Sequence, residues 1–175
     1  MAKLAYTKLG AKINNTINKI EIGDNIVEVK AYLSVDEKLN LISKIIELSH
    51  DYNSNFSNPL KTEVYLTIEA IKAYTNITFT EKQLEDPQKL YDALYSSGIS
   101  KTILGAIPED EYTDLIKFLT DTQNAFYAYR HSIVGVLENI SNDYSDMNLD
   151  IEALQEKLAN GENIELVKNI VSKLG

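Results

Sequence analysis

The stretch from about Glu109 to about Ser141 leaves this chain the fewest ways to fold. It follows Pro108, a residue suited to a helix start, and contains no further proline. At ~100° per residue, Tyr112, Leu115, Ile116, Phe118, Leu119, Phe126, Tyr127, Tyr129, Ile133, Val134, Val136, Leu137 and Ile140 fall within roughly half the helical circle. Thr113, Asp114, Lys117, Thr120, Asp121, Asn124, Ala128, His131 and Glu138 take the other half. An apolar stripe that wide exceeds the need of a surface helix and predicts neighbours on several sides. The expected fold class is therefore mainly α: a helical bundle around one long central helix, about 109–141, with a small N-terminal β-hairpin.

The hairpin is expected over residues 17–33. Ile20 and Ile22 lead into the turn cluster Gly23-Asp24-Asn25, and an alternating run from Ile26 to Leu33 follows. One hairpin alone is marginal in water. It must pack on the helices or gain strands from another copy or a partner, and an exposed edge is a ready docking site. Ser34-Val35-Asp36-Glu37 reads as a capping box. The helix behind it runs to about Asp51, with Val35, Leu39, Ile42, Ile45, Ile46 and Leu48 as its apolar face. Residues 51–59 are Asn- and Ser-rich and read as a loop. A second helix is expected from about Leu60 to Tyr74, a brief extended stretch at Ile77-Thr78-Phe79, and a helical turn from Thr80. Asp86-Pro87 opens a further helix that ends near Gly98, and Ser100 is placed as the cap of a short segment before Pro108.

Three regions follow. Residues 1–16 form a basic arm of weak intrinsic structure, with Lys3, Lys8 and Lys12, no acidic group, and Leu4, Tyr6, Leu9 and Ile13 as scattered apolar positions. Such an arm is either a frayed terminus or one that docks on a partner, since its charge opposes that of the acidic body. Residues 17–141 form the hairpin and helical domain. Residues 142–175, beyond an acidic linker, are expected as a C-terminal helical hairpin free to move.

Chemistry is mostly excluded. The chain has no cysteine, which removes disulfides, thiolate metal sites and cysteine nucleophiles together. His50 and His131 are the two histidines and read as surface or loop residues. Asp146-x-Asn148-x-Asp150 lacks the glycine and terminal glutamate of a calcium loop, with Ile151 and Lys157 in those places. No two of the seven glycines lie close together, so a phosphate-cradling loop is excluded. Glu109, Asp110 and Glu111 cluster in a first helical turn, where the helix dipole favours negative charge. No catalytic residue, cofactor or metal is expected.

A net charge of −9 argues against direct nucleic-acid binding. No apolar run approaches the ~20 residues of a membrane span, and the N-terminus lacks a secretory signal. A cytoplasmic protein without a membrane partner is expected. One arginine stands against sixteen lysines, with abundant Asn and Ile, as in A+T-rich coding. Arginine and tyrosine are enriched at protein interfaces. Tyr32, Tyr127, Tyr129 and Arg130 are accordingly the candidate partner-binding residues, although an aromatic stripe serves core packing more often.

Three stretches carry a resemblance. They are Val27-Glu28-Val29-Lys30-Ala31-Tyr32-Leu33-Ser34-Val35-Asp36-Glu37-Lys38-Leu39, Asn76-Ile77-Thr78-Phe79-Thr80-Glu81-Lys82-Gln83 and Ser132-Ile133-Val134-Gly135-Val136-Leu137. The chain resembles small proteins from the morphogenesis gene clusters of tailed phages and prophages of low-GC Gram-positive bacteria. Its hairpin leading into a capped helix is similar to the start of tail assembly chaperone-type proteins. The resemblance spans most of the chain but leaves out the basic arm and the acidic C-terminal region. It implies a non-enzymatic helper in the cytoplasm of a bacterial host, or a virion-associated one. Such a helper binds another phage structural protein, such as a tape-measure or tail-tube subunit, and can be a homo-oligomer. No functional residue carries over. The alternative is an acidic phage-encoded anti-defence inhibitor that occupies a nucleic-acid-binding surface of a host protein. An enzyme with a diffuse site ranks last.

Overall fold

A computed structural model describes residues 3–51, 56–130 and 132. The chain divides into two compact units, residues 1–121 and 122–175. The described part of the first is a β-hairpin on a layer of helices. The described part of the second is the C-terminal end of one helix and Ser132.

The hairpin forms where the alternation placed it. Strands β1 (Ile17–Ile22) and β2 (Asn25–Lys30) pair antiparallel in the register Ile22↔Asn25, Ile20↔Val27 and Asn18↔Val29. Gly23 opens the two-residue turn at φ 59°, a conformation that other residues adopt only with strain. Val27 and Val29 point inward and are buried, while Ile17, Lys19 and Glu21 are on the solvent face.

Helix α1 (Val35–Ser49) starts at the expected capping box. The Ser34 hydroxyl accepts from the Glu37 amide, and the Glu37 carboxylate accepts from the Ser34 amide at 2.8 Å. The buried face of α1 matches expectation at Ile42, Ile45 and Ile46 and departs from it at its edges. It consists of Lys38, Leu41, Ile42, Ile45, Ile46 and Ser49, while Val35 and Leu39 are exposed. The helix is rotated so that one lysine enters the core, for a reason given below. The predicted 51–59 loop holds a short antiparallel pair, β3 (His50–Asp51) with β4 (Phe56–Ser57). His50 is buried, contrary to expectation, and its Nδ1 shares a 3.0 Å hydrogen bond with Ser57 Oγ.

Helix α2 (Pro59–Tyr74) buries residues on most of its circumference: Val64, Leu66, Thr67, Ile68, Ala70, Ile71 and Tyr74. Asn58 caps it and Pro59 occupies its first turn. Thr80 and Gln83 form a second capping box at α3 (Glu81–Leu84), and Asp86 caps α4 (Pro87–Ser96). Gly98, at φ 77°, turns the chain into α5 (Ile99–Leu104). Ser100 is not the cap of that segment. It lies inside α5, and its hydroxyl donates to the Leu94 carbonyl at 3.2 Å.

Helix α6 spans Glu109–Arg130. In the first unit its buried residues are Glu111, Leu115 and Leu119, a stripe of one residue per turn, and Phe118 is exposed. The expected Tyr112 and Ile116 are half-buried against the same core, so four of the five expected apolar positions in this unit pack inward and Phe118 does not. The core joins Val27, Val29 and Leu33 of the hairpin segment to Leu41, Ile42 and Ile45 of α1, Leu66, Ala70 and Tyr74 of α2, and Leu115 and Leu119 of α6. The expected continuation of α6 to Ser141, the acidic linker, the C-terminal helical hairpin and the Asp146–Asp150 cluster lie outside the described residues. Among the described residues, no helix is long and apolar enough to cross a membrane.

Candidate binding surface at the arm and the hairpin edge

The arm leads directly into β1. Residues 6–9 form one 3-10 turn, ended by Gly10 at φ 63°, and bury nothing. Leu4, Tyr6, Leu9 and Ile13 are each more than 60% exposed. With Lys3, Lys8 and Lys12 between them, they make an apolar and basic segment with little to hold it on this chain. Single exposed apolar residues are ordinary, whereas four within one short segment make it the candidate contact surface.

Beyond the arm, the two sides of the hairpin differ. Asn76 closes the outer side of β2: its amide donates to the Glu28 carbonyl at 3.3 Å, and its side-chain oxygen accepts from the Glu28 amide at 3.1 Å. Val29 and Thr75 add an isolated bridge. β1 pairs with β2 and has no second strand neighbour among the described residues. Because Glu28 directs its backbone away from β1, the facing pair Lys19↔Glu28 is a non-hydrogen-bonded one. Ile17, Lys19 and Glu21 therefore turn their backbone N–H and C=O groups outward, along the free edge. The Lys19 ammonium sits 3.1 Å from the Glu28 carboxylate on the exposed face.

Two carboxylates fix this hairpin on the helices. Glu37 accepts from Lys30 Nζ at 2.8 Å while completing the α1 cap. The Lys30 hydrogen bond, followed by those from Ser34, holds its carboxyl well below the usual range, at about 2. Glu111 is buried and works at longer range. Its Oε1 accepts from the Leu33 amide at 3.0 Å and the Tyr74 hydroxyl at 2.9 Å, and its Oε2 from Lys38 Nζ at 2.7 Å. The lysine on the inner face of α1 is thus explained: it neutralises a carboxylate that holds the hairpin–helix joint. Burial, then the Glu111 hydrogen bond, pushes the Tyr74 phenol above its usual range. From sequence alone, Glu111 is one of three acids, with Glu109 and Asp110, that suit the helix dipole. The structure gives it this other role.

The candidate partner residues separate. Tyr32 is half-buried in the first unit, with Lys38 Nζ 4.5 Å from its ring centroid, a cation–π distance. Tyr127, Tyr129 and Arg130 belong to the second unit. Tyr127 is half-buried and meets Phe126 edge-on at 6.3 Å, Tyr129 is exposed, and Arg130 is the last residue of α6. Sequence reasoning missed Lys38 and Glu111. The signal available was Lys38 itself, which falls in the 38, 42, 45, 49 row of a helix whose other members there are apolar or small.

Elsewhere, a groove of about 290 Å³ lies between α2 and α4, lined by Leu60, Val64, Tyr65, Pro87 and Tyr91, with Lys61 and Asp92 at its charged positions. Among the described residues, no group of three His, Asp or Glu side chains is placed to hold a metal. No protein-family model matches the chain, and no curated protein or solved structure matches it.

Proposed function

We propose that this chain is a non-enzymatic binding protein of a phage assembly module, which holds another phage structural protein in the host cytoplasm until that protein is incorporated. The observation that carries the reading is the arm: four large apolar side chains and three lysines, exposed together beside a clamped hairpin. The resemblance of Val27–Leu39, Asn76–Gln83 and Ser132–Leu137 to tail assembly chaperone-type proteins supports the same reading. In it, the client offers a complementary acidic and apolar groove, and the arm orders upon docking at some cost in chain entropy. Tyr32 adds a second contact at the root of the hairpin, and Tyr127, Tyr129 and Arg130 contribute from the second unit. A bundle organised around a helix that runs on to about Ser141 belongs to the same proposal.

The test is a pull-down from infected cells with the full chain and with a variant carrying Leu4→Ser, Tyr6→Ser, Leu9→Ser and Ile13→Ser. A phage head or tail protein captured by the first and lost from the second supports the reading. Equal capture by both, or a phage deleted for this gene that still makes complete particles, overturns it.

A further inference from the structure

The free edge of β1 carries a second inference, independent of what the arm binds. We infer that two copies of this chain pair antiparallel through β1, with Ile20 on the two-fold axis, to give one four-stranded sheet. The argument rests on register. The outward backbone groups belong to Ile17, Lys19 and Glu21, so an added strand must oppose odd residues to odd residues. Antiparallel pairing of β1 with itself then centres on one of its residues, and the registers centred on Asn18 or Ile22 leave Lys19 and Glu21 without an opposite charge. With Lys19 on the axis, two ammonium groups face each other. With Glu21 on the axis, two carboxylates do. With Ile20 on the axis, Lys19 lies opposite the partner's Glu21, and Glu21 lies opposite the partner's Lys19. The same register sets Ile20 against the partner's Ile20, and Asn18 against the partner's Ile22.

A lone lysine on a strand edge discourages pairing. A lysine and a glutamate two residues apart make the edge complementary to itself, which is what an isologous two-fold contact requires. Lys19 has its side chain 65% exposed and Ile17 is 52% exposed, so the edge is accessible. The inner face also leaves room. Asn18 Nδ2 donates to the Ala106 carbonyl at 3.0 Å, which places the turn between α5 and α6 beneath one end of β1. The axis puts the partner's equivalent turn beneath the other end, four residues or about 13 Å along the strand. The contact is small, so the dimer is a weak, reversible one.

Sedimentation of the full chain at up to about 0.5 mM reads the association. The wild type is expected to shift reversibly from monomer to dimer. Lys19→Glu and Glu21→Lys each weaken the dimer roughly tenfold, and the double reversal restores most of that loss. Because the chain has no cysteine, Ile20→Cys supplies a second readout. It forms a disulfide-linked dimer on mild oxidation, whereas Ile22→Cys, which faces Asn18 of the partner subunit, does not. A wild type that stays monomeric, a double reversal no better than the single ones, or equal cross-linking at positions 20 and 22 overturns the inference.

Discussion

Removing the Glu111 carboxylate strands three partners at once: the Leu33 amide, the Tyr74 hydroxyl and the Lys38 ammonium. All are buried, so water cannot replace what is lost. Glu111→Ala is expected to cost about 3–5 kcal/mol in urea unfolding, most of it from the uncompensated lysine. Replacing the pair together, Lys38→Met with Glu111→Leu, is expected to cost less than Glu111→Ala alone, because no buried charge then remains. Tyr74 contributes to the alkaline behaviour, beside Tyr112, whose phenol is also pushed up by burial. The Tyr74 phenol titrates above its ordinary value of about 10 in the folded chain. The folded state therefore holds that proton more tightly than the unfolded state does. The stability this brings is complete below pH ~10 and declines as pH rises beyond it. Unfolding of Tyr74→Phe followed across that range is expected to show a shallower alkaline decline than the wild type.

Among the elements, the joint between β2 and α1 shows which features could be read in advance. Its capping box is written in four consecutive residues, Ser34 to Glu37, and a local pattern of that kind predicts its own geometry. The hairpin turn and the Thr80 and Asp86 helix starts are legible for the same reason. The rotation of α1, the burial of His50 and the role of Glu111 are not, because each depends on a partner that chain order does not reveal. Glu111 stands 73 positions from Lys38 and 78 from Leu33. Periodicity favours Val35 and Leu39 as core because they are apolar, whereas Lys38 is buried where it meets the Glu111 carboxylate. The free edge was legible as a possibility from one isolated hairpin. Which edge was free depended on Asn76, far along the chain. At this joint, Ser34→Ala is expected to cost about 1 kcal/mol of stability. Glu37 gives the acid counterpart of Tyr74. Its pKa is lowered in the folded state, so its contribution is present above pH 4.5 and is lost as pH falls toward about 2. Lys30→Ala is expected to move the Glu37 titration, followed by NMR, back toward 4.5, since the Lys30 hydrogen bond is the largest cause of the shift.

At the scale of the whole molecule, charge is unevenly spread. The chain carries −9 overall, yet its first sixteen residues hold three lysines and no acid. Because the described arm buries nothing in its helical turn, deleting residues 1–14 is expected to change folding stability by less than about 0.5 kcal/mol in thermal unfolding. Under the proposed function, its effect falls on capture of the partner protein instead. Two copies at −9 each also repel, and added salt screens that repulsion together with the exposed Lys19–Glu21 pairs of the inferred dimer.

Asn76 and Thr75 already occupy the far side of β2, and this settles how far such an association can grow. Once two β1 strands have met, the outer flank of each β2 is already taken at Glu28 and Val29, which leaves the end rung at Ile26. One end rung is too short a template for a further strand, so an association through β1 would favour the pair over a fibril.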